Sequence, residues 1–132
     1  SERPRRTMET IARWVLAAGL AFAGVMHFVA FDTFLLLVPS WLPLPGPIVV
    51  VTGVMEVGFA VALVLAPAGK WRRIVGLALT AFLVVVFVGN VSQAVSGVDA
   101  FGLDTDAERW ARLVFQPLLI VWTLWATRPR GR

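Results

Sequence analysis

The chain has no cysteine and a single histidine among its 132 residues. Without thiols it cannot carry out thiol–disulfide exchange, and cysteine-liganded zinc and iron–sulfur centres are excluded. One histidine cannot form a paired-histidine zinc motif, and the sequence contains neither a phosphate-binding glycine loop nor a nucleophile elbow. We therefore predict no metal site, and we do not expect this chain alone to be a complete oxidoreductase.

Charged residues are also scarce. They make up 15% of the chain, against about a quarter in soluble proteins, while hydrophobic residues reach 58% and the mean hydropathy is +0.80. Several apolar runs approach the roughly 20 residues that an α-helix needs to cross a bilayer. The net charge of +4 comes from basic residues at predicted helix ends, where orientation signals and anionic headgroups explain them. The composition predicts a helical protein of the lipid bilayer and no nucleic-acid partner.

Four apolar segments are predicted to span the membrane within one domain that covers residues 1–132: they are residues 10–29, 47–66, 74–95 and 106–127. Residues 1–9 are predicted to be a partly ordered tail. The basic start and the sequence Ala21-Phe22-Ala23 resemble a signal peptide. Because the apolar run continues to His27 and Phe28 and three more spans follow, we interpret this segment as a retained helix.

The connection between the first two spans, AFDTFLLLVPSWLPLPG, is too apolar for an ordinary loop and too rich in proline for a span. Asp32 is predicted to cap a short helix over residues 33–38, and Trp41 to anchor the segment at the membrane interface. Pro47 is predicted to lie in the first turn of the next helix. The predicted fold is an all-α membrane protein, an antiparallel bundle of four transmembrane helices with a short interfacial segment between helices 1 and 2.

The distribution of basic residues predicts the orientation. Only Arg109 and Arg112 fall on one side of the predicted bundle, and the other ten basic residues fall on the opposite side. These ten are Arg3, Arg5, Arg6, Arg13, Lys70, Arg72, Arg73, Arg128, Arg130 and Arg132. By the positive-inside rule both termini are cytoplasmic, and the predicted location is the plasma or inner membrane.

One acidic residue, Glu56, lies inside the second predicted span. A carboxylate at the bilayer centre costs about 2.5–3.5 kcal/mol on insertion scales unless it is paired, protonated or wetted, and it is a candidate functional group by default. A rise of about 1.5 Å per residue places polar residues of all four spans at a similar depth in the outer half. This predicted ligand-binding set consists of His27, Glu56, Asn90, Gln93, Arg112 and Gln116. The inner half is expected to be almost purely apolar.

Each member of this set has a functional and a structural interpretation. Glu56 and Arg112 are predicted to face each other, either as part of a pocket or as a structural ion pair. Asn90 and Gln93 can hold carbonyl or hydroxyl groups of a ligand, or simply join helices by hydrogen bonds. His27 is predicted to be the titrating group, with ligand affinity changing between about pH 5.5 and 7.5, since an ordinary imidazole titrates at about pH 6.5.

Gly19, Ala23 and His27 are spaced by four residues and share one helix face. The two small residues allow a neighbouring helix to approach closely. We therefore predict a helix contact on this face of the first span.

Sequence motifs in the order of one known family run through most of the chain: Gly24-Val25-Met26-His27-Phe28, Asp32, Val38-Pro39-Ser40-Trp41-Leu42-Pro43, Gly53-Val54-Met55-Glu56, Val86-Phe87-Val88-Gly89-Asn90 and Arg112-Leu113-Val114-Phe115-Gln116. In these the chain resembles the DoxX family of small four-helix membrane proteins. It departs from the family at Val88, where a proline is frequent, so the helix around Asn90 is expected to be straighter. The resemblance selects His27, Glu56, Asn90, Arg112 and Gln116 as site residues.

The relatives that the resemblance implies include a subunit of an archaeal quinol oxidase with thiosulfate:quinone oxidoreductase activity, and more distant chaperones of membrane receptors. We accordingly expect a subunit or accessory protein of a membrane redox system that binds a quinone-like lipophilic compound. The alternative is a non-catalytic scaffold or chaperone that binds another membrane protein. Association into a homo-oligomer is compatible with both.

Overall fold

The computed structural model describes residues 2–36, 38, 41–96 and 106–128, with the side chains of all but residues 2–3, 88–90, 92–96 and 106–112. The long elements of this part of the chain are all helices, joined by turns and bends, and it contains no strand. Its helices are α1 (Glu2–Val29), α2 (Phe31–Leu35), α3 (Pro45–Leu65), α4 (Lys70–Ser96) and α5 (Asp106–Ala126). The all-helical prediction is confirmed. The four long helices cover the four predicted spans, and α4 continues through Val88 without a break.

The first helix begins much earlier than predicted, at Glu2 instead of residue 10. The proposed partly ordered tail is therefore the first two turns of α1. Pro4 lies close enough to the helix start to be tolerated there, because the first N–H groups of a helix have no intrahelical partner. One turn separates Glu9 from Arg13, and both side chains are buried. Tertiary contacts of these two residues thus extend α1 toward the N-terminus.

The predicted starts of the next two helices shift toward the N-terminus by two residues, and that of α4 shifts by four, from residue 74 to Lys70. The short helix covers Phe31–Leu35 instead of 33–38, because the Ala30 carbonyl oxygen already accepts hydrogen bonds from Thr33 N (3.0 Å) and Phe34 N (3.2 Å). Ala30 is the N-cap, and no side chain caps this helix, so the capping role predicted for Asp32 is wrong. Asp32 instead lies in the first turn.

The third helix starts at Pro45, before the predicted Pro47. Its N-cap, Leu44, has a left-handed backbone with φ of 56°. Pro45 suits the first helical position, since the N–H group that it lacks would have no helical partner there.

Two glycines allow α1 and α3 to cross in close contact. A Cβ atom added at Gly24 would lie 2.9 Å from the Gly53 carbonyl oxygen and 2.7 Å from Val57 Cγ2, and one added at Gly53 would lie 2.8 Å from His27 Cβ. Gly19, by contrast, has open space around its missing side chain. The prediction of a small-residue contact on α1 is right in kind, but the contacting residue is Gly24 and not Gly19.

The helices α1 and α3 run in opposite directions, since Arg13 contacts Leu63 while Gly24 meets Gly53. Between them and α4 lies the apolar core, formed by Leu16, Ala17, Leu20, Ala60, Leu63, Leu79, Phe82 and Leu83. Leu119, Ile120 and Trp122 of α5 pack against this core. The beginning of α4 meets the end of α5, where Gly76 leaves room for the hydroxyl group of Thr127, the residue after α5.

Two of the described helices, at Pro4–Val29 and Pro45–Leu65, are long and apolar enough to cross a membrane. A shorter apolar stretch occupies Leu113–Ala126. Only 33% of the first and 28% of the second lies buried inside the protein, and large apolar side chains such as Phe22 and Leu65 are exposed. These helices are compatible with a membrane location.

Candidate functional site

The crossing of α1 and α3 brings the side chains of His27 and Glu56 together. His27 Nε2 lies 3.8 Å from Glu56 Oε2, and each side chain is 9% exposed. His27 is in the last turn of α1, and Glu56 is one turn beyond Gly53 on α3. Because Gly53 contacts the Cβ atom of His27, the glycine crossing sets the separation of the two ionisable groups. We call His27 and Glu56 the buried pair.

The imidazole ring of His27 is held on two sides. Its Nδ1 atom donates a hydrogen bond of 2.7 Å to the carbonyl oxygen of Ala23, one turn earlier. The ring of Phe34, on α2, stacks on it with a centroid distance of 3.9 Å and an angle of 26°. The short helix α2 therefore covers the histidine ring. Nε2 is left facing Glu56.

Glu56 has an unmet hydrogen-bonding capacity. Its Oε1 atom is buried and has no hydrogen-bond partner in the part of the chain that the structure describes. Most buried polar atoms in proteins do have a partner, and leaving one unsatisfied costs about 1–3 kcal/mol. A carboxyl oxygen in this position can be satisfied by a polar group of a ligand, which makes the buried pair a candidate binding site.

The other predicted site residues fall into two groups. The side chains of Asn90, Gln93 and Arg112 lie outside the described residues, and so does the predicted pairing of Arg112 with Glu56. Gln116 on α5 is half-buried. Of the six predicted residues, the structure thus joins His27 to Glu56. Histidine, cysteine and acidic side chains form no metal-binding group of three or more among the described residues.

A second buried cluster, which sequence reasoning missed, lies at the opposite end of α1. We call it the Glu9 cluster and define it as Glu9, Arg13 and Arg128. Glu9 is 5% and Arg13 is 6% exposed. Arg13 Nε donates a hydrogen bond of 3.0 Å to the Leu63 carbonyl oxygen, and Arg128 Nη2 forms an ion pair with Glu9 Oε2. The expectation that this half of the protein is almost purely apolar is wrong.

The spacing of Glu9 and Arg13 contained a usable signal. Residues four apart lie on one helix face, and an acid followed by a base at that spacing forms a favourable pair. Taken alone, Arg13 contributes only to the orientation signal. The link to α5 had no comparable sequence signal, since Glu9 and Arg128 are 119 positions apart. The same two helices are also joined by Trp122 Nε1, which donates a 2.9 Å hydrogen bond to the Ala12 carbonyl oxygen.

An open apolar groove runs between α1 and α3 on the surface of the protein. Its volume is about 370 Å³. Residues that line it include Trp14, Ala17 and Ala21 of α1 and Ala60, Val64 and Leu65 of α3. The groove can accept a hydrocarbon chain or the side of another helix, and its surface is almost entirely apolar.

These observations define an all-helical protein with a buried ionisable pair between two helices that are able to cross a membrane. Residues 16–127 match the family described as "Domain of unknown function (DUF8561)", and the chain belongs to this family. The matched region contains the buried pair and begins after Glu9 and Arg13. No curated protein and no solved structure matches the chain.

Proposed function

We propose that the chain is an integral membrane protein of the DoxX type, an antiparallel bundle of four transmembrane helices that binds a quinone-like lipophilic compound at the buried pair. In this role it is a subunit or accessory protein of a membrane redox system. The observation that carries the proposal is the Oε1 atom of Glu56, buried beside His27 without a hydrogen-bond partner among the described residues. An intramembrane carboxyl group is costly to keep, and such groups mark ligand or proton sites.

The exposed surface supports the transmembrane part of the proposal. A helix in the core of a soluble protein is mostly buried, whereas only 33% of the apolar stretch of α1 and 28% of that of α3 is buried, and both helices expose large apolar side chains. Lipid tails are the environment in which such a surface is stable. The excess of basic residues on one side supports cytoplasmic termini.

Cysteine labelling tests this topology, and the absence of native cysteine makes each introduced thiol the only reactive site. The variants Arg3→Cys, Gly69→Cys, Ala100→Cys and Arg130→Cys are treated in intact cells with a maleimide that does not cross membranes. We expect labelling of Ala100→Cys alone, and labelling of all four after the membrane is opened. Labelling of Gly69→Cys from outside, or protection of Ala100→Cys, contradicts the topology.

The buried pair fits the headgroup of a quinone-like compound, and the surrounding helices fit its apolar parts. His27 Nε2 and the Glu56 carboxyl group can exchange hydrogen bonds with carbonyl or hydroxyl oxygens, since both can accept a bond or, when protonated, donate one. When bound, a quinone supplies the two-electron redox chemistry that this chain lacks. The part of His27 and Glu56 is to orient the headgroup and to hold a proton at Nε2 or at the carboxyl group.

Ligand binding is tested on protein purified from membranes in mild detergent. Lipid extraction followed by titration with menaquinone and ubiquinone should show binding that approaches one molecule per chain. Binding should be lost in Glu56→Leu and retained in Thr80→Val, because the Thr80 hydroxyl group donates only to the Gly76 carbonyl oxygen of its own helix at 2.8 Å. Failure of both quinones to bind the parent protein contradicts the proposal.

The apolar groove favours the second candidate function, a scaffold or chaperone for another membrane protein. Alanine side chains on both walls permit the close approach of a further helix, as small residues do in membrane-helix contacts. Copurification of a stoichiometric membrane-protein partner, lost when Ala18 is changed to Leu and accompanied by no quinone, would favour this function over the first.

A further inference from the structure

We infer that the buried pair recognises one neutral hydroxyl group of its ligand, which donates its hydrogen bond to His27 Nε2. The inference rests on the proposed function in one respect, that the pair binds a ligand. It goes further because it names the ligand group as a hydroxyl. A quinone presents carbonyl oxygens, which only accept hydrogen bonds, whereas a hydroxyl group can donate one.

The hydrogen bond to Ala23 decides which nitrogen of His27 is the acceptor. A carbonyl oxygen can only accept, so Nδ1, 2.7 Å from it, carries the proton. In the neutral ring Nε2 then has the free lone pair. The stacked Phe34 ring and the crossing at Gly53 keep the imidazole in this orientation.

The distance between the two groups is compatible with one oxygen atom that contacts both of them. At 3.8 Å, His27 Nε2 and Glu56 Oε2 are too far apart for a direct hydrogen bond. The same distance is shorter than two hydrogen-bond lengths of about 2.8 Å placed end to end, so a single hydroxyl oxygen can contact both atoms. Such a group donates its hydrogen to Nε2, and its oxygen can accept a hydrogen bond from the carboxyl group of Glu56 when that group is protonated.

Burial restricts the ligand group to a neutral one. Each side chain of the pair is 9% exposed, and the Phe34 ring, the Phe28 ring and the Val57 methyl groups lie around the crossing. An additional ion in such surroundings needs its own counter-charge, because desolvation of an unpaired charge is expensive. The chemistry at hand therefore favours phenols, quinols or alcohols over carboxylates, phosphates and ammonium ions.

A carbonyl or ether oxygen in the same position cannot donate to Nε2. The lone pair of His27 Nε2 would then receive no hydrogen bond from the ligand. We expect this mismatch to weaken binding about tenfold, a ratio that corresponds to about 1.4 kcal/mol and lies in the range for one hydrogen bond.

Three probes with the same ring and the same tail test the inference on the full-length protein in detergent. They are para-nonylphenol, its methyl ether para-nonylanisole, and para-nonylacetophenone, and their affinities are measured by the quenching of tryptophan fluorescence or by calorimetry. We expect the phenol to bind about tenfold more tightly than the other two. In His27→Phe, which keeps a ring for stacking on Phe34, the three affinities should become equal, and this variant also corrects for partitioning of the probes into the micelle. Thr80→Val should retain the preference.

The outcomes separate this inference from the proposed function. Equal affinities of the three probes for the parent protein, or no binding of the phenol, overturn the inference even if quinones bind. A phenol preference that depends on His27, with no quinone binding, supports the inference and overturns the quinone proposal. The comparison in the parent protein requires no variant, so it decides the question even if His27→Phe fails to fold.

Discussion

Buried ionisable side chains lie near both ends of α1, and the two ends differ in how the protein satisfies them. In the Glu9 cluster, the carboxylate of Glu9 pairs with Arg128, and Arg13 donates to the carbonyl oxygen of Leu63. In the buried pair, Glu56 Oε1 has no hydrogen-bond partner within the described residues, and the nearest nitrogen of His27 is 3.8 Å from Oε2. An ion pair and a hydrogen bond thus join the charges of the Glu9 cluster to other parts of the chain, whereas the described residues leave Glu56 Oε1 without a hydrogen-bond partner.

This difference indicates separate roles. A buried charge that is paired and hydrogen-bonded holds helices in place, and removal of one partner strands the other. An unsatisfied buried polar atom destabilises the folded protein, so its presence is explained more readily by binding than by stability. We therefore propose that the Glu9 cluster serves the packing of α1, α3 and α5, and that the buried pair serves ligand recognition.

The largest expected effect is on stability at the Glu9 cluster. Glu9→Leu removes the carboxylate and leaves Arg13 buried, and we expect a loss of about 3 kcal/mol, the lower end of the range for breaking a buried ion pair, because the side chain of Arg128 is 38% exposed. Glu56→Leu should change stability by less than about 1 kcal/mol or increase it, because no hydrogen bond among the described residues is lost. Unfolding in detergent, by heat or by added denaturing detergent, measures both. Equal losses in the two variants would contradict the division of roles.

A somewhat smaller effect is expected where α1 crosses α3. The added methyl group in Gly53→Ala would lie 2.8 Å from His27 Cβ and 3.0 Å from Phe28 Cε2, which overpacks the contact. We expect a loss of about 1–3 kcal/mol and weaker ligand binding, since the two groups of the buried pair are forced apart. The matched control is Gly19→Ala on the open face of α1, which should gain about 0.5–1 kcal/mol. If both variants lose stability alike, the glycine crossing is placed wrongly.

Coupling within the buried pair is expected to be smaller again. In a double-mutant cycle of His27→Phe and Glu56→Leu, the two changes in stability should deviate from additivity by at least about 0.5 kcal/mol, as for residues in contact. The cycle of His27→Phe with Glu9→Leu spans the length of α1 and should be additive within about 0.5 kcal/mol. Additivity in the first cycle would show that His27 and Glu56 are independent.

The smallest expected effect is the pH dependence of phenol binding. A protonated His27 carries a hydrogen on Nε2 and cannot accept the ligand's hydrogen bond, so affinity should fall as the pH is lowered. Among the described residues, Glu56 of α3 is the ionisable side chain within 4.0 Å of the ring, and α2 contributes the uncharged Phe34. Protonation of Glu56 does not restore the Nε2 lone pair, so phenol affinity is still expected to fall as the pH is lowered. Affinity that rises on acidification, or a slope that persists in His27→Phe, would assign the proton-sensitive role to Glu56.

Much of this architecture followed from the sequence, because the relevant information is local. Apolar runs near 20 residues long predicted the four long helices, and prolines with an apolar composition predicted the short element between the first two. His27 and Glu56 were found because polar side chains are conspicuous inside apolar helices. These properties depend on composition and on near neighbours in the chain.

Tertiary structure alone decided which faces meet. Gly19 and Gly24 are five residues apart on the same helix, so their directions around the helix axis differ by about 140°. The rotation of α1 against α3 brings only Gly24 into contact. Depth arithmetic put Glu56 near several polar residues but could not select His27, because it gives height along a helix and no angle around it. The extension of α1 to Glu2 likewise involves Arg128, 119 positions away from Glu9, since this residue, just after α5, supplies an ion-pair partner to the buried acid.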